Sequence, residues 1–184
     1  IPSLMYPFLP IDMPVQCVLP KEPASSDADR ALVGTRYGSQ VDSRTQYDTL
    51  PQAISNRFDF SVEFKTTTSD GVVFYSSDDK HVDFFSLYMK SGQLVFAFNC
   101  GSGTTRIMSD KTYHDGMWHT VVFSRDQKSG QLITNDGEET KTGESPGPST
   151  TMNVISPYYL GGLSPDVTEL ATKNLEVIPL IKLC

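Results

Sequence analysis

From Arg30 onward the chain is written in short apolar or alternating runs broken by Gly, Ser, Asp and Asn, which is the punctuation of strands. In Phe58-Asp59-Phe60-Ser61-Val62-Glu63-Phe64, the residues Phe58, Phe60, Val62 and Phe64 share one face while Asp59, Ser61 and Glu63 share the other. That is the alternation of a half-buried antiparallel strand. Apolar runs at 71–75, 84–89, 93–98, 118–123 and 157–160 predict further strands, and Ser91-Gly92 and Ser129-Gly130 supply tight turns for two hairpins. No window keeps a helical period for ten or more residues, so no helix is expected. The pattern predicts an all-β, antiparallel sandwich of many short strands.

Ahead of this region the pattern is different. Six of the twelve prolines fall within the first 23 residues, and proline lacks the N–H that a sheet ladder needs. Residues 1–26 therefore read as an extended, Pro-rich lead-in and 27–184 as the folded domain. Leu4, Met5, Tyr6, Phe8, Leu9 and Ile11 give the lead-in enough apolar surface to lie along a neighbouring domain. A second Gly/Pro/Ser-rich stretch, 143–149, reads as an exposed loop.

Composition narrows the function classes. The 184 residues are 38% hydrophobic and 20% charged, with no apolar run near the ~20 residues a membrane span requires. A net charge of −7 repels nucleic acid phosphate and anionic membrane, leaving cations and basic partners open. The first residues lack the basic and apolar regions of a signal peptide, as expected of a processed chain or a fragment of a longer one. No Asn-x-Ser/Thr sequon is present. Cys17, Cys100 and Cys184 show no Cys-x-x-Cys spacing, which argues against zinc, and their odd number leaves one thiol without an internal partner.

No constellation of catalytic residues emerges. His81, His114 and His119 stand without a Gly-x-Ser-x-Gly elbow and read as surface or rim residues. Cys100 has no marked partner base and reads as a buried or disulfide-bonded residue before a strand-end turn at Gly101. Asp78-Asp79-Lys80-His81-Val82-Asp83 lacks the ligand spacing of an EF-hand loop, so spacing alone makes it a solvated acidic loop. There is no phosphate-binding glycine loop, and no recognisable pair of carboxylates for glycan hydrolysis. The chain is not expected to be an enzyme.

Several segments, taken in order, resemble the laminin-G-like family. They are Phe74-Tyr75, the runs 82–87 and 92–103, Asp115-Gly116-Met117-Trp118-His119, Asp136-Gly137, and Tyr158-Tyr159-Leu160-Gly161-Gly162-Leu163. Pro14-Val15-Gln16-Cys17 within the lead-in is similar to the linker before the C-terminal G-like modules of laminin α chains. The resemblance implies a curled jelly-roll sandwich in which Asp115-Gly116 makes a turn and Trp118 fills the core. One feature of the family has no counterpart between Leu163 and Cys184, a Phe-x-Gly-Cys strand whose Cys pairs with the last Cys. Cys17 and Cys184 are accordingly expected to bond to each other or to a neighbouring domain, with Cys100 reduced and buried.

The family also implies Ca²⁺ on the sandwich rim. Its ligand positions fall on Asp83 and Asn153, through side-chain oxygen, and on Cys100 and Thr151, through carbonyls. Asp79, Lys80, His81 and Arg106 flank that rim as expected partner-binding residues. The implied function is adhesion in the extracellular matrix of basement membranes. The partner would be a cell-surface glycoprotein receptor of dystroglycan type or a neighbouring matrix domain. Acidic glycans would be held weakly, because Asp78 and Asp79 are opposed only by Lys80 and Arg106. The alternative, also known in this fold, is carriage of a small apolar, steroid-like ligand between the sheets.

Overall fold

The computed structural model describes residues 16–18, 33–35, 37–38, 43–49 and 52–176. Cys184 and most of the Pro-rich lead-in lie outside these residues. The chain divides into two compact units, Ile1–Arg36 and Tyr37–Cys184. In the first, strand β1 (Gln16–Val18) pairs antiparallel with β2 (Val33–Thr35), setting Cys17 opposite Gly34.

The second unit is an antiparallel sandwich. Its strands are β3 (Thr45–Tyr47), β4 (Arg57–Lys65), β5 (Gly71–Ser77), β6 (Phe84–Lys90), β7 (Gln93–Asn99), β8 (Thr104–Thr112), β9 (Trp118–Asp126), β10 (Ser129–Thr134), β11 (Glu139–Glu144) and β12 (Ile155–Leu160). One sheet runs β11-β10-β9-β4 and the other β3-β12-β5-β6-β7-β8. The expected jelly-roll sandwich is present.

Alternation selects the core. On β4 the buried Phe58 and Phe64 face inward with Phe60 and Val62, and Val121, Phe123 and Leu132 extend that face across β9 and β10. Against them lie Val73, Phe74, Phe85, Leu87, Phe96, Phe98 and Ile107 of the six-stranded sheet. Phe58 and Phe85 meet at 4.4 Å between ring centroids, and Phe60 stacks on Phe123 at 5.6 Å. At one edge the sheets approach each other over a missing side chain on each of two paired strands. Gly130 sits opposite Gly143, and a Cβ on either would come within 2.9 Å of the Ile107 side chain.

The central strands of the six-stranded sheet, β5 to β7, are buried on both faces. The residues of β5 through β7 that point away from the core, Val72, Tyr75, Phe84, Tyr88, Val95 and Ala97, form a second apolar cluster with Tyr159, Leu163, Ala171 and Leu175. The last two belong to an eleven-residue helix, α1 (Pro165–Leu175). This helix corrects the expectation of none. Pro165 at its first turn, Asp166 at its positive dipole end and the left-handed Glu176 (φ 58°) that stops it are ordinary helix signals. Its inward face is short, however, and Leu170 points to solvent, so no sustained period is legible.

Three further expectations are corrected. The turn after β9 is Gln127-Lys128, with Gln127 at φ 55°, because Ser129 already pairs with Asp126 and Gly130 is needed inside the strand. The stretch 143–149 is not all loop: β11 runs to Glu144, and Ser145 is buried, its N–H donating to the Lys128 carbonyl at 2.9 Å. Trp118 is only half-buried, and His119 takes the inward position instead. The parity of β9 dictates this, since His119 shares a face with Val121 and Phe123.

Candidate functional site

The candidate site is assembled at one end of the six-stranded sheet. Phe84 pairs with Asn99, so Asp83, just before β6, and Cys100, just after β7, come to the same end. The segment leading into β12 joins them, since the Asn153 N–H donates to Asp83 Oδ2 at 2.7 Å. Asp83 is 6% exposed, and its Oδ1 lies 3.2 Å from where a Cβ on Gly101 would stand. Gly101, at φ 86°, is therefore the residue that lets the chain pass the carboxylate. Asn153 and Thr151 are exposed, and Ser149 Oγ donates to the Thr151 carbonyl at 3.3 Å.

A buried carboxylate demands partners for both oxygens. Among the described residues nothing donates to Asp83 Oδ1, which lies beside the Gly101 turn and is not sealed from solvent, so that water or a cation can meet it. The oxygen-only set of Asp83, Cys100, Thr151 and Asn153 suits a hard cation such as calcium. No group of three or more His, Cys, Asp or Glu side chains placed to hold a metal ion occurs among the described residues, so the set depends on a single carboxylate and on amide and backbone oxygens.

The expected partner-binding residues divide into two groups. Asp79 and Lys80 are exposed at the tip of the loop between β5 and β6. That loop is tied at its base by the Asp78 N–H to the Asp83 carbonyl (2.8 Å) and the Val82 N–H to Asp78 Oδ1 (2.7 Å). His81 is half-buried, its Nδ1 bonded to Ser77 Oγ at 2.9 Å and Tyr75 Oη at 3.0 Å, while its carbonyl accepts from Asn174 Nδ2 of α1. Burial pushes the Tyr75 hydroxyl pKa up, so it keeps its proton. Arg106 is turned to the end of α1, donating to the Asn174 carbonyl at 2.7 Å and pairing with Glu176 at 3.3 Å. Helix α1 thus engages both His81 and Arg106.

The family model for the laminin G domain matches residues 64–177, from the end of β4 through α1. The chain belongs to the laminin G domain family. Laminin subunit alpha-4 of Mus musculus is 34% identical over 142 residues, which cover 77% of this chain and 8% of that protein. The basement membrane-specific heparan sulfate proteoglycan core protein of Mus musculus is 38% identical over 112 residues, 59% of this chain and 3% of that one. Among solved structures, mouse laminin alpha1 chain, domains LG4-5, superposes with a TM-score of 0.73 at 25% identity, covering 81% of this chain and 39% of that chain. This chain therefore spans a small part of the relatives it matches.

Within this laminin G domain the signature Asp115-Gly116-Met117-Trp118-His119 is a structural latch. Asp115 Oδ1 accepts from the Met117 N–H at 2.8 Å and bonds His119 Nε2 at 2.9 Å, and these bonds hold the Asp115 carboxyl below its ordinary range. Cys100 is buried and carries a free thiol. Among the described residues, no helix of this laminin G domain is long and apolar enough to cross a membrane. Two residues near the rim carried no motif in the sequence. They are Asn174, which holds His81, and Arg125, buried on β9.

Proposed function

We propose that this laminin G domain is an extracellular-matrix adhesion module, a binding domain rather than an enzyme. Its rim, formed by Asp83, Asn153, and the Cys100 and Thr151 carbonyls, would hold calcium. Its partner would be a cell-surface glycoprotein receptor of dystroglycan type or a neighbouring matrix domain. The observation that carries this reading is the buried Asp83 carboxylate, with one oxygen tied to the Asn153 backbone and the other left without a donor beside the Cys100–Gly101 turn. Four protein oxygens leave a six- to eight-coordinate cation with positions that water or an acidic group of the partner would fill. The exposed Asp79 and Lys80 border that position, and the −7 net charge disfavours a polyanion held by surface lysines alone. The basement-membrane setting named for the proteoglycan relative agrees with secretion.

The interior argues against an apolar carrier. Phe58, Phe60, Phe74, Phe85, Phe96 and Phe123 interlock between the sheets with neighbouring ring centroids 4.4 to 6.5 Å apart, where a carried ligand would have to lie. The test is capture of cell-surface glycoproteins on the immobilised domain, with calcium and again with chelator, for the wild type and Asp83→Ala. Capture that requires both calcium and Asp83 supports the proposal. Capture indifferent to both would remove it.

A further inference from the structure

Arg125 is 1% exposed, lies on the inward face of β9, and has no carboxylate partner among the described residues. Its Nη1 donates to the Ser55 carbonyl at 3.1 Å and the Ile54 carbonyl at 3.5 Å, its Nη2 donates to the Thr150 carbonyl at 2.7 Å, and its Nε has no partner. A buried charge paired only with neutral carbonyls is costly, and a planar fork of five donors is what lets one side chain grip two separate backbone segments. The segments gripped here are the 3₁₀ turn Gln52–Ser55 and the stretch 150–153.

The hydrogen bonds of that stretch alternate from side to side. The Thr150 carbonyl goes to Arg125, the Met152 N–H goes to the Ser55 carbonyl at 2.9 Å, and the Asn153 N–H goes the other way, to Asp83. In extended backbone the N–H and C=O of one residue point to the same side, and those of the next residue to the opposite side. Thr150 and Met152 therefore turn their backbone groups toward Arg125 and Ser55. The Asn153 N–H turns toward Asp83, while the Thr151 carbonyl accepts from Ser149 Oγ at 3.3 Å. Met152, whose side chain is completely buried, fixes the register of this alternation.

We infer that Arg125 is a positioning residue of the rim: by holding the Thr150 carbonyl on the inner side, it fixes the stretch that seats the Asn153 N–H on Asp83 and so preorganises the cation site. This rests on the calcium reading above and adds to it a residue that touches no ligand. Groups that orient a metal's ligands typically change affinity by about 10- to 100-fold when altered. Arg125→Lys keeps the charge but loses the fork, so it can grip one segment and not both.

The experiment uses the whole chain. Calcium affinity is measured by calorimetry for the wild type, Asp83→Ala and Arg125→Lys, and the luminescence lifetime of bound Eu³⁺ counts the waters on the ion. In parallel, the Arg125 Nη resonances of the wild type are followed during calcium addition. Arg125→Lys is expected to bind calcium on the order of tenfold more weakly and to carry one more water on Eu³⁺, as follows when the 150–153 stretch is no longer held against Asp83. The wild-type Nη resonances are expected to shift with calcium and to stay still in Asp83→Ala. Folded Arg125→Lys with unchanged affinity and hydration would overturn the inference. So would Nη resonances that ignore calcium in the wild type, a result that needs no variant to fold. If the wild type takes up no calcium through Asp83, the calcium reading itself falls, which is a different outcome from either.

Discussion

Removing part of one side chain tests whether α1 is an integral layer of this domain. Leu175 is completely buried against the outer face of the six-stranded sheet, in the cluster that includes Tyr88, Val95 and Ala97. Leu175→Ala deletes three carbons, about 2.4 kcal/mol of transfer free energy at ~0.8 kcal/mol each, and leaves a cavity. The position is the last of the helix, next to the exposed carboxylate of Glu176, so neighbours can relax into part of the space. We expect a total loss of about 3 kcal/mol, which lowers the melting midpoint by roughly 6–12 °C in a domain of this size. Leu170→Ala is the control, because Leu170 is 44% exposed on the same helix and should change stability by no more than ~0.5 kcal/mol. Urea unfolding followed by fluorescence measures both. Equal, small losses in the two variants would refute the packing of α1 on the sheet.

Gly130→Ala should lose about 1–3 kcal/mol by the same assay, since its Cβ would drive into Phe98 and Ile107. Unchanged stability would mean that the sheets do not approach as closely there. Tyr113 predicts an alkaline effect. Burial, with the Glu139 carboxylate beside it, pushes its hydroxyl pKa up to about 12. The unfolded chain ionises this tyrosine near 10, so its contribution to stability is complete below pH 10 and is lost as the pH rises toward 12. Spectrophotometric titration should find a late-ionising tyrosine that is absent in Tyr113→Phe. A titration curve identical in that variant would contradict the assignment.

The sandwich was legible where a strand has one wet face, as at Phe58 to Phe64. Where no such face exists the strands were still legible as apolar runs, but the layer that covers them was not. Strands β5 to β7 are apolar on both sides, and that doubling is itself the mark of a cover on the outer face. The cover, α1, has a polar outer side and few buried residues, so its period fades. Strands β8, β10 and β11 escaped because Thr, Lys and Gly fill them: at Gly130 and Gly143 the inward position is empty, which erases the alternation. At Trp118-His119, the family resemblance implied the tryptophan for the core, but the parity of β9 decided for the histidine. The candidate site had no spacing signal. Asp83 and Asn153 are seventy positions apart and meet only through the strand order β12-β5-β6-β7, so family resemblance alone could name them. Arg125 left no trace in the sequence, because its partners are all backbone carbonyls.

The central claim is that the buried Asp83 carboxylate anchors a calcium ion on the rim. Calorimetric titration of calcium into the wild type and Asp83→Ala tests it most directly, with circular dichroism establishing that both are folded. With one charged side chain in the set, the wild type is predicted to bind a single ion with a Kd on the order of 10⁻⁴–10⁻³ M, and Asp83→Ala to give no heat of binding. A wild type that binds no calcium, or a folded Asp83→Ala that binds it equally well, would contradict the account.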